Sequence, residues 1–227
     1  MISELSNIVQ PYAWGSREAL AKLRGDAEPS AAPEAELWMG AHPLAPSRLL
    51  ASGQSLDLAI EQAPVEHLGA AVSKHYGSKL PFLLKVLAAA TPLSLQAHPS
   101  LEQAARGFAE DEAAGIAIDA PVRSYKDSNH KPELLCALGE FWALCGFREV
   151  SQTLQLLDEL AVTELEPYRA TLARDPDQRG ISAVFAQLMQ APAAARERLA
   201  RATTLACRER AGASVRFGAE LGWGARI

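Results

Sequence analysis

The chain has 227 residues, 48% hydrophobic and 22% charged, with no long polar tract, a composition that excludes disorder, collagen and coiled coil. No apolar run approaches the ~20 residues that cross a bilayer, and residues 1–9 lack the basic flank and apolar centre of a signal peptide. A formal charge of −5, without a basic stripe interleaved with aromatics, argues against a nucleic-acid groove and leaves room for a small polar or anionic substrate.

From residue 1 to about residue 148, short apolar runs are broken by Pro, Gly and Ser, which predicts mostly β structure. Strands are expected at 36–40, 81–87, 93–98, 133–138 and 141–147. A helix is expected over 100–115, where Ser100 and Gln103 have the capping-box spacing and Gly115 can close the end. From Glu149 the texture becomes helical, with apolar residues at three-to-four spacing over 150–160, 164–173, 181–190 and 192–207. Three regions are therefore expected: 1–148, a helical domain at 149–211, and an irregular tail at 212–227. The tail belongs to an arginine-rich end. Residues 190–227 carry a net +4, whereas the preceding residues sum to −9. Cys136, Cys145 and Cys207 are odd in number and lack CxxC spacing, which predicts free thiols and a reducing cytoplasm.

Two segments concentrate chemistry. In LSLQAHP (93–99), strand alternation sends Ser94, Gln96 and His98 to one face. Gln96 and His98 can then reach one metal ion, the imidazole suiting Zn²⁺ and the amide oxygen adding a neutral ligand. A hydrogen-bonded wall histidine fits the same pattern. In DSNHKPE (127–133), an extended backbone places Lys131 and Glu133 on one face. Glu133 can supply an anionic ligand, and Lys131 can bind an anionic oxygen or relay a proton. A solvated turn with a Lys–Glu pair accounts for the residues equally. His130 points away from that face and reads as structural. Lys85 interrupts PFLLKVL (81–87), where a lysine is costly unless it meets an anion or water, or snorkels at a sheet edge. Glu36, Trp14 and Ser16 fit simple strand and turn packing.

These segments together resemble the type I phosphomannose isomerases, zinc-dependent enzymes of the cupin superfamily. The resemblance rests on four ordered blocks: PYAWGS (11–16), AELWMGAHPLAPS (35–47), LPFLLKVLAAATPLSLQAHPS (80–100), and DSNHKPELLCAL through CGFR (127–148). It implies a mainly β fold, a cupin-like incomplete barrel in 1–148, with an appended α-helical module. It also implies one Zn²⁺ per chain, with Gln96, His98 and Glu133 as metal ligands. Ser94, Lys85, Glu36 and Trp14 match substrate-binding positions, and Lys131 and Glu133 match positions suited to catalysis. The implied reaction interconverts mannose 6-phosphate and fructose 6-phosphate by proton transfer through an enediol, with a sugar phosphate as the small-molecule partner. The family's fourth zinc ligand, a histidine in an HAY-type motif, has no counterpart, since no histidine follows His130. The alternative expectation is a truncated, non-catalytic remnant that binds metal or sugar phosphate weakly, with residues 212–227 translated in a shifted frame.

Overall fold

The computed structural model describes residues 2–226. The chain divides into two compact units, Met1–Leu95 and Gln96–Ile227. The first contains β1 (Leu5–Ser6), β2 (Ile8–Gln10), α1 (Ala19–Arg24), β3 (Glu36–Met39), β4 (Arg48–Leu49), α2 (Leu56–Gln62), α3 (Pro64–Leu68), α4 (Ala70–Tyr76) and β5 (Leu84–Leu87). β1 pairs with β4, and β2, β3 and β5 form a three-stranded antiparallel sheet with β3 in the centre. The register sets Trp38 opposite Lys85 and Glu36 opposite Leu87. Because side chains alternate between faces, Glu36, Trp38 and Lys85 share one side of the sheet.

Leu20, Ala21, Ala35, Ala59, Ile60 and Ala88 are the buried apolar residues of this unit. The hydroxyl of the fully buried Ser47 donates to Asn7 Oδ1 at 2.9 Å and accepts from the Gly40 amide at 3.0 Å, so its burial strands no polar group. Gly15 faces Ala89 in an isolated β-bridge. A Cβ on Gly15 would lie 2.5 Å from the Ala35 nitrogen, so only glycine admits this backbone approach.

The second unit is helical: α5 (Leu101–Ala113), α6 (Val150–Leu160), a 3₁₀ turn (Thr163–Leu165), α7 (Glu166–Arg174), α8 (Gln178–Gln190), α9 (Ala193–Arg210) and α10 (Gly218–Gly224). α5 opens with the capping box read in the sequence. Ser100 Oγ accepts from the Gln103 amide at 3.2 Å, and Gln103 Oε1 accepts from the Ser100 amide at 2.8 Å. Asp177 caps α8 by accepting from the Arg179 and Gly180 amides. α9 is dominated by Ala and Arg, which favour the helix intrinsically. The core here joins Leu160, Ala206, Cys207, Phe217 and Leu221. Leu221 on α10 and Phe217, the residue just ahead of that helix, meet that core, and α10 gives part of the expected irregular tail a regular structure.

The expectation of a mainly β, cupin-like incomplete barrel is overturned: the chain is 44% helical and 9% strand, and its sheets are small. Within the run expected at 81–87, only Leu84–Leu87 is a strand. The segments 93–98, 133–138 and 141–147 form no strand at all. Their apolar patterning suits a sheet, but a strand exists only where a neighbour completes its ladder, and no described residue does so here. Their side chains consequently face solvent: Leu95 is 78% exposed, Leu134 98% and Phe147 67%.

Candidate active site

In the first unit the central strand carries a buried carboxylate. Glu36, 7% exposed, accepts from Trp38 Nε1 at 2.6 Å, and its other oxygen lies 3.3 Å from the Lys85 ammonium. Strand register produces this arrangement. Trp38 stands two residues along from Glu36 on the same face, and Lys85 enters from the neighbouring strand. The lysine of PFLLKVL is exposed on its strand, so its charge reaches water as well as the Glu36 carboxylate. The Trp38 ring also packs edge-on against His42 at 4.7 Å. Trp38 is not among the residues singled out by the sequence, although its i, i+2 spacing from Glu36 places both on one face of a strand. Trp14 stacks on Tyr12 at 5.7 Å, and its carbonyl accepts from the Ala90 amide at 2.9 Å, which anchors the turn ahead of Gly15. Ser94 is exposed, outside any helix or strand.

In the second unit His98 and Glu133, far apart in sequence, come together: Nε2 and Oε2 are 3.5 Å apart. Two donors bound to one tetrahedral zinc ion, each about 2.0–2.2 Å from it, stand about 3.4 Å from each other. The pair therefore has the spacing and the nitrogen–oxygen chemistry that such an ion accepts. Gln96 lies exposed, two residues before His98. Among the described residues no cluster of three His, Cys, Asp or Glu side chains converges, so a third ligand from this chain would be another oxygen donor, for which the amide of Gln96 is one candidate.

Lys131 is paired within its own segment. Its ammonium is bound by Asp127 at 2.6 Å, while the other Asp127 oxygen accepts from the Asn129 amide at 2.8 Å. Asp127 thus forms an Asx turn with Asn129, ahead of the Lys131–Glu133 segment. Burial pushes the Asp127 carboxyl up, but the Lys131 hydrogen bond, the Asn129 amide and the Lys131 charge outweigh it and hold the group below its ordinary value. His130 is exposed. A cavity of about 380 Å³ lined by Leu157, Asp158, Thr163, Glu166 and Arg169 lies among α6, the 3₁₀ turn and α7, and it includes none of these groups.

Comparison with known proteins agrees with the four sequence blocks. Residues 2–150 match the family model for the phosphomannose isomerase type I catalytic domain. A mannose-6-phosphate isomerase of Escherichia coli is 48% identical over 191 residues, covering 83% of this chain and 48% of the relative. One from Schizosaccharomyces pombe is 37% identical, covering 80% of this chain and 44% of the relative. Among solved structures, the Salmonella typhimurium mannose 6-phosphate isomerase bound to fructose 6-phosphate and zinc is similar at TM-score 0.80 and 41% identity. That match covers 93% of this chain and 53% of the other. The chain thus spans about half the length of the curated relatives it matches. On the matched residues, it belongs to the type I phosphomannose isomerase catalytic-domain family.

Proposed function

We propose that the chain takes part in the interconversion of mannose 6-phosphate and fructose 6-phosphate, with one Zn²⁺ held by His98, Glu133 and Gln96. The approach of His98 to Glu133 at 3.5 Å carries this reading. The bound cation would supply electrostatic stabilisation to the negative charge that develops on oxygen as a proton moves between C1 and C2.

The chain's own groups do the rest. In the second unit the Glu133 carboxylate would help hold the ion, and the Lys131 ammonium, positioned by Asp127, attracts an anionic substrate oxygen or shuttles a proton to it. In the first unit Lys85 offers a cation to phosphate. Glu36 and Trp38 fix its approach, while Trp14 and Ser94 supply an aromatic face and a hydroxyl. The chemistry is assigned to residues 1–148, with 149–211 as a helical accessory region and 212–227 as a tail. Three free cysteines support a reducing cytoplasm as the compartment. No helix among the described residues is long and apolar enough to cross a membrane. A second reading, metal or sugar-phosphate binding without turnover, is supported by the exposure of both His98 and Glu133.

The test is zinc stoichiometry by elemental analysis, followed by a sugar-phosphate assay on the zinc-loaded chain. One zinc per chain, lost in His98→Ala, with conversion of fructose 6-phosphate supports isomerisation. The same zinc without conversion leaves the binding reading. Unchanged zinc in His98→Ala overturns the site.

A further inference from the structure

The sequence distance between His98 and Glu133 is bridged by α5 and the loop that follows it, and that bridge is fastened at one place. His98 precedes the capped start of α5, separated from Ser100 only by Pro99. On the far side of the helix, Arg123 is 5% exposed. Its Nε donates to the Tyr125 carbonyl at 2.7 Å and an Nη donates to the Ile116 carbonyl. The other Nη lies 2.6 Å from a Glu112 carboxylate oxygen, aligned as an ion pair rather than as a hydrogen bond. The guanidinium also covers the Phe108 ring at 4.9 Å. Beside it the Tyr125 amide donates to Asp111 Oδ2 at 2.9 Å. The Tyr125 ring occupies the space over Gly107, where any side chain would overlap it. Two residues beyond Tyr125, Asp127 opens the turn that leads to Glu133.

We infer that Arg123, with Tyr125 seated on Gly107, is a positioning residue that latches the 114–133 loop to α5 and thereby sets the separation of His98 from Glu133. The inference rests on the metal reading given above. Three features of the latch fit this role. A guanidinium makes contacts in several fixed directions at once, which a lysine ammonium cannot reproduce. The charge is buried on α5, so its cost is returned only while the loop stays docked. The two ligands themselves are exposed.

Arg123→Lys and, as a milder change, Asp111→Asn test it in the full chain. Two quantities are read: amide hydrogen exchange over residues 122–133 in chelator-treated protein, and zinc affinity by chelator competition. Exchange over 122–133 should quicken in both variants while α6 and α9 keep their parental rates. Zinc affinity should fall about 10–100-fold for Arg123→Lys, the range seen when support behind a ligand is removed. Cobalt substituted for zinc should show altered visible absorption in Arg123→Lys, which a general loss of stability would not produce. Parental exchange in the folded variants, or unchanged zinc affinity alongside faster exchange, overturns the latch. A parent chain that binds no zinc overturns the metal reading, and the exchange rates then decide the latch on their own.

Discussion

The two candidate groups are held by different means. Glu36, Trp38 and Lys85 stand on neighbouring strands, where backbone register alone brings them together. His98 and Glu133 lie outside regular structure, and their meeting depends on a helix cap, a buried guanidinium and an Asx turn. Groups placed by a ladder tolerate local change poorly but need no distant support. Groups placed by loops can be shifted from many ångströms away.

Four changes separate these modes. The largest effect should come from Leu221→Ala, which empties a fully buried position in the helical core. It should cost about 2–5 kcal/mol by denaturant unfolding while leaving exchange in β2, β3 and β5 untouched. Loss of protection in those strands as well would show that the units unfold as one. Glu36→Ala strands the Trp38 indole N–H and removes a partner of Lys85. A cost of about 1–3 kcal/mol is expected, read as a lower thermal midpoint with zinc binding retained. Ser100→Ala removes the α5 cap, for about 1 kcal/mol, and exchange should quicken in the first turn of α5.

The smallest effect should be that of Asp127→Asn. The Asp127 carboxyl sits below its ordinary value, so its stabilisation is complete above the unfolded value of about 3.9 and fades as pH falls through the folded one. Solvent screening keeps it below ~1 kcal/mol. Denaturation midpoints of parent and variant should differ at neutral pH and converge in strong acid. A difference that grows on acidification would contradict the assigned pairing.

What could be read in advance followed from how local each signal was. The helix at Val150–Leu160 and the Ser100–Gln103 capping box depend on neighbours within a turn, and both stand where the spacing puts them. The Leu93–His98 run satisfies strand patterning equally well, but its state depends on a ladder partner, which periodicity cannot supply. The same divide runs through the chemistry. The lysine in PFLLKVL left an anion, water or a sheet-edge position open, and the exposed Lys85 beside Glu36 has both solvent and a carboxylate. The pairing of Lys131 with Asp127 depends on a local turn at Asp127, which apolar periodicity does not announce. Arg123 gave no signal either, since its contacts converge only after α5 and the following loop fold together.

The His98–Glu133 approach also bears on the chain as a polymer. An ion gripped by both residues closes a loop of 36 residues. A covalent tie of that length lowers the entropy of the open chain by the equivalent of about 4 kcal/mol at room temperature. Chelation there would work as a removable crosslink, and stripping the ion would return to this segment the freedom of an untethered strand.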